Sequence, residues 1–146
     1  MKGERLQTML SKMEQQWNIV YYETVDGKCE VKEFIESLKV REQAKILGWI
    51  EQLQKEGPNL RRPYADFLKD GIHELRIKIS KNRIRILYFF CYQNTIVLTH
   101  VFQKSTAKVP PKEIEKAKDI RRDYLKRFPK DKKGEKRNDN IQRPFK

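Results

Sequence analysis

The sequence predicts a small α+β domain in which a mostly antiparallel four-stranded sheet carries an N-terminal helical hairpin on one face and is followed by a C-terminal helix. Three observations predict it. Basic residues alternate with hydrophobic ones at strand spacing from Ile72 to Lys104. Two apolar stripes at helical spacing precede that region, between Glu30 and Glu56, and a third follows Pro110 and Pro111. With 146 residues, 38% hydrophobic and 36% charged, the chain can bury one modest core, so a single domain is expected.

Leu6, Met9, Leu10 and Met13 recur at i, i+3, i+4 and i+7, marking residues 1–16 as an amphipathic extension that either docks, on the domain or a partner, or stays loosely held. A first strand is expected through Trp17, Ile19 and Tyr21, because aromatic and β-branched residues suit a pleated surface. Asp26 and Gly27 then mark a turn. Val31, Phe34, Ile35 and Leu38 form one helical stripe and Ile46, Trp49, Ile50 and Leu53 another, before Gly57 and Pro58 stop the chain. Helices over roughly 30–39 and 41–56 follow, with Trp49 read as core rather than as a stacking platform.

Residues 59–71 read as a connection, with Arg61, Arg62 and Lys69 exposed and Tyr64, Phe67 and Leu68 available to pin it. It is a solvated loop or one rim of an RNA groove, and its charges alone do not decide. Leu75, Ile77 and Ile79 then share one strand face, with Glu74, Arg76 and Lys78 on the other. After a turn at Ser80 to Asn82, Ile84, Ile86, Tyr88 and Phe90 oppose Arg83, Arg85, Leu87 and Phe89. Antiparallel pairing sets Arg76 and Lys78 beside Arg83 and Arg85, a patch suited to phosphate.

The next strand, Thr95 to Lys104, is hydrophobic on both parities and therefore reads as central, with His100, Phe102 and Lys104 on one parity. In the last helix Pro110 and Pro111 suit the opening, Glu113 and Glu115 lie in the first turns, Lys126 and Arg127 near the end, and Pro129 stops it. Residues 129–146 carry seven basic against three acidic side chains and little hydrophobic content, so no stable fold is expected there in isolation. This tail either strengthens RNA binding or is a soluble extension.

Thirty-three Lys and Arg against 20 Asp and Glu give a net charge of +13, which favours a phosphate-rich partner or an acidic protein over a membrane surface. Cys29 and Cys91 are too few for a disulfide scaffold and lack metal-ligand spacing, so free thiols in a reducing compartment and no metal site are expected. The polar opening MKGERLQTMLSKMEQQ has no signal-peptide pattern, and no run approaches a membrane span. A cytoplasmic protein is expected.

The order strand, two helices, three strands, helix resembles the RelE/ParE toxin superfamily. The segments HELRIKISKNRIRILYFF, TIVLTHVFQKS and VPPKEIEKAKDIRRDYLKR are similar to its phage-derived Gp49-like and HigB-like branch, over roughly 17–128. The resemblance implies a toxin of a type II toxin-antitoxin system that cleaves messenger RNA on the ribosome and is held inactive, in an oligomeric complex, by a helix-turn-helix antitoxin. It places the arginine of the family's Leu-Arg segment on Arg76 and that of its second strand on Arg85. The histidine and lysine of the Leu-His-x-Phe-x-Lys-Lys segment fall on His100 and Lys104. Here Thr99 replaces the leucine and Ser105 the second lysine, which puts a complete catalytic set in doubt.

Cleavage of this class uses the RNA 2′-hydroxyl as nucleophile on its own phosphate and requires no cofactor when the protein supplies cations for the phosphorane and a route for protons. Arg76 and Arg85 are the candidates for the phosphate clamp, since a guanidinium binds two oxygens in a fixed plane. Lys78, Arg83, Arg61 and Arg62 are candidate backbone contacts, and Lys104 joins the catalytic candidates through its charge, steering and holding the backbone rather than transferring protons. His100 has the titration range of a general acid or base, although a lone histidine in TIVLTHVF is more often a buried sheet residue. Two further readings stay open: a ParE-like toxin acting on DNA gyrase, and an interaction module whose basic groove receives an acidic segment of an antitoxin.

Overall fold

The computed structural model describes residues 16–130. The amphipathic segment and nearly all of the basic tail lie outside the described residues. Five strands and three α-helices follow in the order β1 (Asn18–Tyr21), α1 (Glu30–Glu36), α2 (Val40–Glu56), β2 (Ala65–Lys69), β3 (Ile72–Ile79), β4 (Asn82–Cys91), β5 (Thr95–Gln103) and α3 (Pro111–Arg127). The sheet order is β1-β5-β4-β3-β2. Only β1 pairs in parallel, with β5, and the other three pairings are antiparallel.

The α+β class and the central place of β5 agree with expectation, but the sheet has five strands rather than four. The extra strand is β2, inside the expected connection of residues 59–71. Asp70 and Gly71 take positive φ (52° and 81°) and form a two-residue turn that folds Ala65–Lys69 back on β3, with Phe67 opposite His73. Of its five residues only Ala65 is buried. A short edge strand with one core residue leaves almost no alternation to read in sequence.

The two faces of the sheet carry separate cores. On one face Leu75, Ile77, Ile84, Ile86, Ile96 and Leu98 meet Val31, Ile35, Ile46, Ile50 and Leu53 of α1 and α2. On the other, Ile72, Leu87, Phe89 and Val97 meet Ala117 and Tyr124 of α3. Burial of these side chains contributes roughly 25 cal/mol for each Å2 of apolar surface removed from water. The second face is therefore divided: α3 packs on its apolar residues, and the charged residues of β3 and β4 share that face toward its other end.

A bulge sets which residues of β5 reach that charged half. Leu87 pairs with His100 but the next residue, Tyr88, pairs with Leu98, so Thr99 is the extra residue. Leu98 and Val101 consequently both pack toward α1 and α2, while Val97 and Phe102 pack toward α3. His100, Phe102 and Lys104 are thereby turned to the face that bears Arg76 and Arg85.

At the far end of α2, Gly57 takes φ 52° and a Cβ there would run into the Trp17 indole at Nε1. Trp17 is tied to the same end of α2, donating from its backbone N to Gln54 O (3.1 Å) and accepting from Gln54 Nε2 (2.9 Å). Among the described residues, no helix is long and apolar enough to cross a membrane.

Candidate functional site

Arg76 and Arg85 are direct partners in the β3–β4 register, on the charged half of the α3 face. Two like charges opposite each other repel. Glu74, one step along the same face of β3, answers both: Oε2 accepts from Arg76 Nε at 3.2 Å and Oε1 lies 3.0 Å from Arg85 Nε. The second contact is an ion pair whose N–H is not aligned for a hydrogen bond. Arg85 instead donates from Nη1 to Ile84 O at 3.1 Å.

Burial separates the two arginines. The Glu74 side chain is 2% exposed and that of Arg85 9%, against 28% for Arg76. Burial disfavours the Arg85 charge, Glu74 restores it, and Arg76 and Arg83 oppose it; a guanidinium nonetheless remains charged throughout. A single carboxylate thus holds two cations in one place, and its own charge neutralises only one of them.

Lys104 completes the group. Its backbone N donates to Arg83 O at 2.8 Å, which sets the side chain at the end of the same basic face, and the residue is buried. Its ammonium pKa is pushed below the usual lysine range, first by burial and then by Arg85, with Arg76 and Arg83 adding and Glu74 opposing. Lys78 and Arg83 face each other in the register and are exposed.

The β2 side carries a second pair. Arg62 Nη2 donates to Asp66 Oδ2 at 2.8 Å, and Asp66 is the register partner of Glu74. The Arg62 guanidinium holds Asp66 below the usual carboxylate range. Arg62 thereby joins the Glu74 cluster, whereas Arg61 is exposed and accepts backbone bonds from Tyr64 and Ala65 at its carbonyl.

His100 is drawn away from this group. It is 1% exposed, with Nδ1 3.0 Å from Thr99 Oγ1 and Nε2 2.9 Å from Glu113 Oε1 in the first turn of α3. The Thr99 hydroxyl also lies 3.1 Å from Leu87 O. Burial pushes the imidazole pKa down, the Glu113 hydrogen bond pushes it up, and Lys116 opposes its charge. With the ring neutral, Nε2–H donates to Glu113 and Nδ1 faces the Thr99 hydroxyl. This histidine fastens α3 to the sheet and has no free ring nitrogen to offer a substrate.

The structure therefore brings Arg76, Arg85, Lys104, Lys78, Arg83 and Arg62 to one face and leaves His100 under α3. The sequence places Glu74 to organise one of the two arginines through an exposed ion pair; the structure has it buried and paired with both, and the part played by Asp66 was not anticipated. The signal for Glu74 was present in the parity, since Glu74 shares a strand face with Arg76 and Lys78. A carboxylate among cations invites reading as a surface ion pair, and its burial becomes visible only once β2 flanks β3. Cys29 and Cys91 are free thiols, buried and half-buried. Among the described residues no group of three or more His, Cys, Asp or Glu side chains is placed to hold a metal ion.

No curated protein matches the chain. The family described as phage-derived protein Gp49-like (DUF891) matches residues 33–122, a span running from α1 through most of α3 and including every member of the basic group. The match covers more than half of the sequence, and the chain belongs to the phage-derived Gp49-like family.

Proposed function

We propose that the protein is the toxin of a type II toxin-antitoxin system and cleaves messenger RNA on the ribosome. The observation that carries this reading is the convergence of Arg76 and Arg85 on Glu74, on one face of the sheet. A phosphate approaching there meets first the Arg76 guanidinium, 28% exposed, with that of Arg85, 9% exposed, held close behind it by the same carboxylate. As the 2′-hydroxyl attacks the adjacent phosphorus, negative charge grows on the non-bridging oxygens, and fixed cations stabilise that charge more than they stabilise the ground state. Lys78 and Arg83 hold the flanking backbone through charge. The resemblance to HigB-like toxins supplies the ribosome, the messenger and the helix-turn-helix antitoxin as partners.

In this reading the neutral amine of Lys104 takes the proton of the 2′-hydroxyl as its oxygen bonds to phosphorus. The phosphorus–5′-oxygen bond breaks, leaving a 2′,3′-cyclic phosphate, and the departing 5′-oxygen takes a proton from water. The lowered pKa of Lys104 brings the neutral amine nearer to working pH, and the residue stands with the arginines rather than beneath α3. His100, held on both ring nitrogens, is a positioning residue for the β5–α3 junction. The same sealing of His100 favours a second reading, in which the basic face binds without cleaving and the protein acts on DNA gyrase or serves as an antitoxin-binding module.

The test is addition of the full-length protein to translating ribosomes, followed by mapping of messenger ends. New ends that vanish with Arg76→Gln and Arg85→Gln are expected. Intact messenger with stalled gyrase selects the ParE-like reading, and intact messenger with tight antitoxin binding selects the interaction module.

A further inference from the structure

On the opposite side of β2 from the arginines, α2 and the segment leading into β2 enclose a cleft of about 420 Å3 lined by Gly48, Trp49, Gln52, Glu56, Leu60 and Tyr64, among others. Its volume lies within the roughly 300–1,000 Å3 of small-molecule sites. The lining is mainly apolar. Trp49 and Tyr64 stack with ring centroids 4.7 Å apart and planes 25° apart, and Tyr64 stays 45% exposed. At Gly48 a Cβ would meet nothing within 4 Å, so the helix leaves open space at that wall. Gln52 Nε2 donates to Glu56 Oε2 at 3.4 Å, and with Lys45, also in the lining, the mainly apolar cleft carries one amide, one carboxylate and one ammonium.

The cleft is joined to the basic face by the chain itself. Leu60 and Tyr64, both in its wall, bracket Arg61 and Arg62. Arg62 pairs with Asp66, Asp66 sits opposite Glu74, and Glu74 holds Arg76 and Arg85. Two strand spacings, about 10 Å, separate β2 from β4. The Arg62–Asp66 pair is exposed on the arginine side, and such pairs contribute little stability, so its guanidinium is available to a phosphate.

We propose that this cleft is a stacking subsite for one unpaired base of a single-stranded RNA whose backbone crosses Arg61 and Arg62 on its way to Arg76 and Arg85. The subsite rests on the RNA-cleaving reading above. A cationic track ending at an aromatic platform is the combination that holds single strands, because every base has a π face and every nucleotide a phosphate. Trp49 acts here as the fixed half of the platform, packed against the core, and Tyr64 as its accessible half. Gln52 and Glu56 lie where the edge of the base would meet them.

The experiment measures fluorescence anisotropy of a labelled single-stranded heptaribonucleotide with the full-length protein at two salt concentrations. Tyr64→Ala is expected to weaken binding about tenfold, within the range of one base–aromatic stack, with the salt dependence unchanged because no phosphate contact is lost. Tyr64→Phe should bind as the parent does. Gly48→Leu fills the cleft from a helix position with room for the side chain and should weaken binding as Tyr64→Ala does. Arg76→Gln reports on the clamp separately and should reduce the salt dependence. If Tyr64→Ala and Gly48→Leu bind like the parent while Arg76→Gln is weakened, the subsite is wrong and the clamp stands. Equal losses for Tyr64→Phe and Tyr64→Ala would overturn stacking, and no binding by the parent protein would remove the RNA reading and the subsite together.

Discussion

Arg76 and Arg85 stand directly opposite each other across β3 and β4, and the carboxylate that reconciles them, Glu74, is more deeply buried than either. The arrangement joins stability and charge display in one group. Removing the anion leaves Arg85 as a buried cation without compensation, which costs far more than an exposed pair would.

Glu74→Gln is therefore expected to lower folding stability by about 3 kcal/mol, read as a reduced urea midpoint at unchanged slope. Arg76→Gln, at the better-exposed partner, should cost under about 1 kcal/mol while removing most of the cleavage activity. Equal stability losses for the two variants would mean that Glu74 is not the shared counter-ion.

Acidification should weaken the fold through its histidines. Burial lowers the pKa of both His73 and His100, with Asp66 opposing at His73 and the Glu113 hydrogen bond opposing at His100. The unfolded chain then binds the extra protons first. Stability should be fully present above the unfolded histidine value of about 6.5 and fall as pH drops below it toward the folded values, with a limiting slope of about 1.4 kcal/mol per pH unit for each group. Denaturant melts between pH 7.5 and 5 should show the fall, and His100→Gln should flatten part of it. A stability curve that rises across that window would overturn the neutral assignment.

The pH profile of cleavage tests Lys104 separately. Because burial and Arg85 depress its ammonium pKa, activity should rise with pH and level off earlier than an ordinary lysine would allow. Lys104→Arg keeps the charge but does not titrate, so it should bind RNA and lose the rising limb. An unchanged profile in that variant assigns proton transfer to another group.

Two glycines give a paired test of the fold. Gly57→Ala drives a Cβ into the Trp17 ring from a left-handed backbone and should cost about 2 to 3 kcal/mol. Gly48→Ala meets open space in mid-helix and should stabilise by up to about 1 kcal/mol. Thermal melts of the two variants should move in opposite directions.

The elements with a strong period were legible in sequence. Ile46, Ile50 and Leu53 gave α2 its buried stripe, and Leu75, Ile77 and Ile79 alternated with Glu74, Arg76 and Lys78 in β3 as the pleat requires. The like face of Arg76 and Arg85 followed from that parity. β2 was hidden because one buried residue, Ala65, carries no period. The ion pair of Glu74 with an arginine was legible, but its burial was hidden for a different reason: it depends on strands brought beside Glu74 from elsewhere in the chain, and local pattern does not encode neighbours. The fate of His100 turned on Glu113, thirteen residues away, and on a register shift without any glycine or proline to announce it.

Thr99 is that shift, and it makes the composition of the basic face depend on how the residues of β5 pair as well as on their identity. Were Thr99 drawn into the regular ladder, plain alternation from Leu98 would turn Lys104 toward the helical hairpin and Gln103 toward the arginines, whereas a chain lacking Thr99 would keep both where they are. In this fold, one bulged residue decides whether the arginines meet a cation or an amide, without altering either side chain.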